Sequence, residues 1–176
     1  MVGLGNPGDA YRDTRHNIGQ RVLDHLARAL KRGWQHDGPT LLCRAAWRGE
    51  PLHLMKPLAF MNLSGPVVAA ALRRLGADAT DLILVHDDID LPLGSVRVRM
   101  KGGHGGHHGV QSVLEALGTT EVRRVKLGIG RPEGGRRDVP DHVLSAFDPD
   151  ELDTVTAAVA AASDRVLTLA QTPSTR

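Results

Sequence analysis

The sequence predicts an α/β fold, a single three-layer domain with a mostly parallel mixed central sheet flanked by helices. Two observations predict it. The chain has 176 residues, 41% of them hydrophobic, which is enough for one ordinary core and too few for two. Apolar runs typical of strands alternate with segments of helical periodicity, and no internal repeat or low-complexity linker separates them. We therefore expect one domain at 1–171 and a frayed tail at 172–176.

In the amino-terminal half, the predicted strands are apolar runs bounded by turns, and the predicted helices repeat apolar residues every three or four positions. These strands cover 1–4, 41–47 and 51–56, and these helices begin at Thr14 and at 64–66. Thr14 is expected to be the N-cap of the first helix, and Gly33 and Gly76 lie just past the two predicted helix ends. The turn at 48–50 joins the second and third strands as a β-hairpin.

In the carboxyl-terminal half, the apolar run 82–85 is typical of a strand that is buried on both faces. The run 95–100 alternates valine with arginine, which indicates a half-exposed strand. A loop rich in glycine and histidine follows at 101–109. The remaining predicted elements are a short helix through 113–117, a strand at 123–129, a basic loop at 130–140, and helices near 141–147 and 150–170.

Charge balance and cysteine content exclude several classes of protein. The chain carries 22 Lys and Arg against 20 Asp and Glu, so it is neither a charged disordered tail nor a strongly charged nucleic-acid coat protein. One cysteine, Cys43, excludes an internal disulfide framework and a cysteine-rich zinc module. No run approaches the ~18 apolar residues of a membrane span, and the first residues lack the layout of a signal peptide. We expect a cytoplasmic protein without membrane attachment.

The segment that follows the first strand fits the G-x-G-x-x-G pattern of dinucleotide-binding loops with Gly3, Gly5 and Gly8. That fingerprint needs a helix that starts inside the loop, so that its free N–H groups face a pyrophosphate. Pro7 removes one such N–H, and the next residues show no helical periodicity. The two other interpretations are a tight structural turn and a turn that presents Asn6 to a functional site.

A histidine and an aspartate are candidates for acid–base chemistry. His16 falls in the first turn of the predicted helix, where the positive helix end favours a neutral imidazole that can accept a proton. Asp87 ends the buried strand, at the edge where open α/β sheets place functional groups. Together they would form a general base held in one tautomer. Taken singly, they are a surface histidine and an ordinary strand-end carboxylate, and their spacing does not show that they meet.

The glycine-rich loop carries His104, His107 and His108 as H-x-x-H-H. Imidazole is the commonest metal ligand, so a metal site is one interpretation. Catalytic zinc, however, usually takes its ligands from helices or strands, and four glycines at 102–109 hold ligands poorly. A mobile flap over a polar site is the interpretation that we favour.

An amide and a row of cations complete the candidates. Asn62 is either a helix N-cap or an amide that offers a donor and an acceptor at a helix entrance. Arg97, Arg99 and Lys101 share one face of their predicted strand, and Lys126 is expected on a neighbouring strand. A solvated strand face is the simpler interpretation. The functional one is a phosphate-binding strip at the rim of a cleft.

Taken together, these segments resemble bacterial peptidyl-tRNA hydrolases. The matching stretches occur in the family's order and extend from the start of the chain to about Phe147. They are VGLGNPG at 2–8, Tyr11, TRHNIG at 14–19, FMNLSG at 60–65, HDDIDLPLG at 86–94, GGHGGHHG at 102–109 and LGIGRP at 127–132. The resemblance implies an esterase that cuts the bond between a peptide and the 3′ end of tRNA and so recycles free tRNA.

The resemblance also implies a role for particular residues. It assigns the catalytic base to His16, the carboxylate that orients it to Asp87, and amide contacts with the substrate to Asn6 and Asn62. Binding residues of the family match Tyr11, Phe60 and Met61 in the cleft, His108 in the glycine-rich loop, and Arg99 and Lys126 as a clamp on the tRNA 5′ phosphate. The implied partner is peptidyl-tRNA, bound through its acceptor stem, 3′ end and peptide by a monomer that needs no metal or cofactor.

One departure from the family's pattern falls inside the site. Where this chain has His108, the family usually has the asparagine of GGHNG. An imidazole can donate one N–H, but it is bulkier, it titrates, and it cannot copy the paired donor and acceptor of an amide. We expect turnover to survive with altered water positioning or acid sensitivity. The alternative that this change leaves open is a non-catalytic RNA-binding relative of the same fold.

Overall fold

Seven strands form one sheet within residues 1–132 and 138–172, the part of the chain that the computed structural model describes. They are β1 (Val2–Gly3), β2 (Gln35–Asp37), β3 (Thr40–Trp47), β4 (Glu50–Pro57), β5 (Ile83–Asp88), β6 (Val96–Arg99) and β7 (Arg123–Gly128). Their spatial order is β2-β3-β4-β1-β5-β7-β6. The central strands β4, β1, β5 and β7 pair in parallel, whereas β2, β3 and β6 pair antiparallel at the edges. The predicted mixed sheet with a parallel centre is confirmed.

Helices cover both faces of the sheet, as predicted. They are α1 (Ile18–Ala29), α2 (Ser64–Leu75), α3 (His108–Leu117), α4 (Val139–Val143) and α5 (Leu152–Ala170). The apolar faces of α1 and α5 pack in one core cluster with β5 and β7, and those of α2 and α3 pack in a second cluster on the other face. No helix among the described residues is long and apolar enough to span a membrane.

The strand β5 serves both core clusters, which explains its continuous apolar sequence. Successive side chains of a strand point to opposite faces of the sheet. Ile83 and Val85 therefore pack with α1 and α5, and Leu84 packs with α2 and α3. The prediction of a strand buried on both faces is confirmed, and the strand ends at the site described below.

Glycines allow two helices to approach their neighbours closely. A side chain at Gly19 would overlap the carbonyl group of Val85, so α1 crosses β5 almost in backbone contact. A side chain at Gly65 would likewise overlap the carbonyl group of Ser112, so the start of α2 lies against α3. The first of these approaches places the turn before α1 beside the end of β5.

Some predicted boundaries are wrong. The Thr14 hydroxyl does not cap a helix but donates a hydrogen bond to the Tyr11 carbonyl, and a 3-10 turn at Arg15–Asn17 precedes α1. The strand β2 was not predicted because its residues are polar and show no apolar alternation. The helix near 141–147 lies instead at Val139–Val143. Residues 133–137 of the basic loop and 173–176 of the tail lie outside the described residues.

Candidate active site

A cavity of about 640 Å³ opens at the carboxyl edge of the parallel strands. This edge is where an open α/β sheet gathers the loops that follow its strands, and it is the usual place for a ligand. Nine of the ten predicted site residues line the cavity, namely Asn6, Tyr11, His16, Phe60, Met61, Asn62, Asp87, His108 and Lys126. Arg99 does not line it, because it lies further out on the edge strand β6.

The structure brings His16 and Asp87 into direct contact although 71 positions separate them. The Nδ1 atom of His16 lies 2.9 and 3.0 Å from the two carboxylate oxygens of Asp87. His16 comes from the 3-10 turn before α1, and Asp87 comes from β5, which α1 crosses at Gly19. With Nδ1–H donating to the carboxylate, Nε2 is the nitrogen that remains for the cavity.

Asp87 also accepts a hydrogen bond from His107, which the sequence analysis did not place in the site. His107 Nε2 lies 2.8 Å from Oδ1 of Asp87. The Asp87 side chain is 2% exposed, and this burial by itself raises the pKa of the carboxyl group. The two imidazoles outweigh that effect and hold the pKa of Asp87 well below its usual range. A buried carboxylate with two imidazole partners therefore lies at the base of the cavity.

Asn6 is held in a network of amide hydrogen bonds. Its backbone N–H donates to Oδ1 of Asn17 at 2.9 Å, and Nδ2 of Asn17 donates back to its carbonyl group. Its own Oδ1 accepts the backbone N–H of Met61 at 2.8 Å. The Asn6 amide is thereby oriented with its oxygen occupied, which leaves its NH₂ group as the part that can serve a ligand. Asn17, buried beside it, is a positioning residue that sequence reasoning missed.

The turn before α2 contributes the amide and the apolar residues of the cavity wall. Asn62 lies in a 3-10 turn at Met61–Leu63, exposed to the cavity, and it does not cap a helix as one interpretation proposed. The rings of Tyr11 and Phe60 meet edge to face at 6.2 Å. A further apolar part of the lining, also missed from the sequence, consists of α4 residues and their neighbour: Val139, Pro140, Val143 and Leu144.

The predicted cations lie along β6 and β7, beside the cavity. In the antiparallel pairing, Arg97 lies opposite Lys126 and Arg99 opposite Arg124. Lys126 forms an ion pair with Asp88, and both residues line the cavity. Arg97 and Arg99 are exposed and make no ion pair with any residue of the described part of the chain.

The glycine-rich loop is fastened at both ends. At its start, the Arg124 guanidinium donates hydrogen bonds to the carbonyl groups of Gly102 and Gly103 at 2.7 and 2.8 Å. At its end, His107 is the N-cap of α3, where its Nδ1 accepts the backbone N–H groups at 109 and 110. His108, the first residue of α3, is exposed to the cavity.

The proposed histidine metal site is not formed by the loop histidines. Among the described residues, the donor cluster suited to a metal consists of His16, Asp87 and His107, with donor atoms within 4.8 Å of one another. Nitrogens of both imidazoles already lie within hydrogen-bond distance of the carboxylate, so an ion would have to displace those contacts. That the site works without a metal stays a prediction.

The geometry of the first loop excludes the dinucleotide interpretation. The pyrophosphate fingerprint needs a helix that begins within the glycine loop. Here a 3-10 turn at Asp9–Tyr11 follows Gly8, and the first α-helix begins only at Ile18. The loop presents Asn6 to the cavity, as the third interpretation proposed.

The fold and the site define a hydrolytic enzyme with a histidine–carboxylate pair. Among the described residues, no serine, threonine or cysteine lines the cavity, and Cys43 is buried in the core. A model of the family described as peptidyl-tRNA hydrolase matches residues 1–175. The chain belongs to this family: it is an ester hydrolase that acts on peptidyl-tRNA.

Solved structures agree with this assignment. The peptidyl-tRNA hydrolase of Acinetobacter baumannii is 31% identical and superposes with a TM-score of 0.91, over 97% of this chain and 87% of that chain. A peptidyl-tRNA hydrolase in complex with N-propanol gives the same values. A 5′-methylthioadenosine nucleosidase of Arabidopsis thaliana, 12% identical, superposes with a TM-score of 0.52 over 98% of this chain and 96% of that chain, a likeness of fold alone. The fold and reaction that the sequence resemblance implied are confirmed, and the non-catalytic alternative is not favoured.

Proposed function

We propose that His16 is the general base that activates water for attack on the ester bond between the peptide and the tRNA 3′ end. The observation that carries this proposal is the contact of 2.9 Å between Nδ1 of His16 and the buried carboxylate of Asp87. Asp87 fixes the tautomer in which Nε2 carries the lone pair, and it stabilises the imidazolium that forms when Nε2 takes the proton. General-base assistance of this kind is worth ~10²–10⁴-fold in rate.

In this proposal the two amides Asn62 and Asn6 bind the reacting end of the substrate. The carbonyl oxygen of the ester becomes an oxyanion in the tetrahedral intermediate, and Asn62, at the mouth of the cavity, donates to it. One such fixed donor contributes about 2.7–4 kcal/mol to transition-state stabilisation. The NH₂ group of Asn6 contacts the peptide part of the substrate, which is the contact that separates N-blocked from free aminoacyl groups.

Three further residues are proposed to hold the apolar parts of the substrate. Tyr11, Phe60 and Met61 form one wall of the cavity. Phe60 is 53% exposed, which is unusual for a ring that serves only the core. A large exposed apolar side chain at the rim of a cavity is typical of a ligand contact.

Arg99 and Lys126 are proposed to clamp the 5′ phosphate of the tRNA, and His108 to contact the substrate between the clamp and the base. Arg99 lies on the neighbouring strand to Lys126, at the edge of the sheet that adjoins the cavity. Arginine and lysine are the residues that proteins use to neutralise phosphates, and a local pair is sufficient in a chain of formal net charge +2.

We further propose that the enzyme works in the cytoplasm as a monomer, with no metal and no cofactor. Ester hydrolysis needs only an activated water and a donor for the oxyanion, and the residues named above supply both.

The substitution His16→Ala tests the catalytic proposal. We expect loss of peptide release from peptidyl-tRNA, because the variant has no base, with tRNA binding nearly unchanged. His36→Ala, which removes an exposed imidazole on β2, is the matched control and should hydrolyse like the wild type. Undiminished turnover by the His16 variant would refute the assignment of the base, and loss of tRNA binding together with turnover would refute a purely chemical role.

A further inference from the structure

We propose that His107 is a positioning residue for the reaction, which holds Asp87, and through it His16, in the reactive geometry. This inference rests on the proposed role of His16. It concerns a residue for which the sequence offered only a metal site or a flexible loop, and it gives the glycine-rich loop a role in the catalytic machinery.

Both ring nitrogens of His107 are engaged, and their partners determine its tautomer. Nδ1 lies 3.1 Å from the backbone nitrogen of Gly109 and 3.2 Å from that of Val110. Backbone N–H groups only donate, so Nδ1 must carry a lone pair. Nε2 then carries the proton and donates it to Asp87 across 2.8 Å. His107 is therefore a fixed donor that has no nitrogen left to act as a base.

The contact with His107 completes the orientation of Asp87. Oδ1 of Asp87 lies 2.9 Å from His16 Nδ1 and 2.8 Å from His107 Nε2. His16 approaches from the layer of α1, and His107 approaches from the layer of α3 on the other face of the sheet. With one donor a carboxylate can still rotate about its last bond. Two donors from opposite layers fix its plane, and with it the direction in which His16 Nε2 points.

Two further imidazoles lie beside His107. Its ring lies 4.9 Å from the ring of His16 and 4.8 Å from the ring of His86 on β5. Burial, with a smaller contribution from His107, holds the pKa of His86 well below its usual value, and Arg124 on β7 acts in the same direction. His107 therefore lies between the buried ring of His86 and the carboxylate to which it donates. By sharing that carboxylate, it also reduces the charge that Asp87 presents to His16.

Two amide substitutions separate the bond to Asp87 from the cap of α3. In His107→Asn, the amide oxygen takes the place of Nδ1 and keeps the cap, but the side chain is too short to reach Asp87. In His107→Gln, the longer amide reaches Asp87 with an N–H, and the cap is lost. A residue that only stabilised α3 would suffer more from the second substitution, whereas a positioning residue suffers more from the first.

The experiment measures kcat, KM, the pH dependence of kcat/KM and the melting temperature Tm for both variants. For His107→Asn we expect kcat to fall ~10–100-fold with KM within about twofold, by analogy with the loss that follows removal of a hydrogen-bond partner that orients a metal ligand. The midpoint of the acid limb of the profile moves to higher pH, because Asp87 then gives its full charge to His16. For His107→Gln we expect Tm to fall by ~2–4 °C, kcat to recover most of the loss, and the acid limb to return towards its wild-type position.

The outcomes keep this inference separate from the proposed function. If His107→Asn has the kcat and acid limb of the wild type while His16→Ala is inactive, the inference fails and the proposed function stands. If activity follows Tm across both variants, with His107→Gln the less active, His107 is only a structural cap and the inference again fails. His36→Asn, which makes the same change at an exposed histidine of β2, is the control and should leave all four quantities unchanged.

Discussion

Two polar regions of the site differ in how they are built. We call His16, Asp87 and His107 the carboxylate cluster, and Arg97, Arg99 and Lys126 the cationic strip. In the cluster, Asp87 is 2% exposed and accepts hydrogen bonds from two helix layers. In the strip, both arginines are exposed and only Lys126 has a carboxylate partner among the described residues, Asp88. One region is fixed before substrate arrives, and the other is solvated.

This difference indicates how each region acts. Preorganised hydrogen bonds in a buried site favour the transition state because they need no rearrangement when charge develops. Exposed cations attract phosphate through long-range electrostatics, and added salt shortens the range of that attraction. This attraction does not need precise geometry. Changes in the cluster should therefore lower kcat, and changes in the strip should raise KM and alter its dependence on salt.

The largest effect is expected from Asp87→Asn, which breaks the cluster at its centre. An amide carries no charge to stabilise the imidazolium, and its NH₂ group would oppose one of the two imidazole donors. We expect kcat to fall ~10²–10⁴-fold with little change in tRNA binding, as measured by peptide release and by a binding assay. Asp164→Asn on the exposed face of α5 is the control. A fall of less than threefold would contradict the preorganised cluster.

The next effect concerns the cationic strip. The double substitution Arg99→Ala with Lys126→Ala removes both cations of the proposed phosphate clamp. We expect KM to rise ~10-fold or more and the slope of log affinity against log salt to lose ~0.7–0.9 per lost phosphate contact. The kcat at saturation should stay close to the wild-type value. An unchanged salt slope would show that neither cation contacts phosphate.

Asp88→Asn sharpens this test in the opposite direction. This substitution leaves Arg99 and Lys126 in place but removes the carboxylate that pairs with Lys126. The tRNA phosphate then no longer competes with Asp88 for Lys126. KM should fall rather than rise. A rise would mean that Asp88 positions Lys126 for the substrate instead of competing for it.

The carboxylate cluster and the cationic strip also differ in how much of each can be predicted from the sequence. The end of β5 and the cations of β6 follow from hydrophobic patterning alone, because an apolar run and a strict alternation are local signals. Patterning could not show that His16 meets Asp87, since the close packing of α1 on β5 joins positions that are 71 residues apart. The family resemblance supplied that pairing.

Neither hydrophobic patterning nor the family resemblance predicted the contact of His107 with Asp87. His107 ends a loop that has no periodicity to reveal a contact, and its partners lie two, three and twenty positions away on α3 and β5. Asn17 was missed for a similar reason, because its amide bonds to Asn6 form across two loops. The strand β2 was missed because its three polar residues show no apolar alternation. Positioning residues, which orient other residues of the site, are therefore the part of this site that is hardest to predict from the sequence.

A smaller effect concerns His86, which is buried beside the carboxylate cluster, and the pH dependence that it gives to the free energy of unfolding. Burial holds the pKa of His86 well below its usual value, so the folded protein keeps this ring neutral where the unfolded chain protonates it. Below about pH 6.5 the unfolded state therefore binds the extra proton, and the free energy of unfolding falls by up to ~1.4 kcal/mol per pH unit. His86→Gln should flatten this slope between pH 6.5 and 5 in chemical denaturation. Equal slopes for variant and wild type would contradict a neutral buried His86.

The smallest effect is expected at the boundary between the two regions, where His108 begins α3 with its side chain exposed to the cavity. An imidazole there donates through one N–H when neutral, and it gains a charge near a helix amino terminus when protonated. His108→Asn restores the amide that the family usually has, so we expect kcat/KM to change only severalfold near pH 7 and to decline less steeply in acid. Full pH profiles of both proteins measure this. Superimposable profiles would place His108 outside the chemistry, so that the cluster alone would set the acid sensitivity of the enzyme.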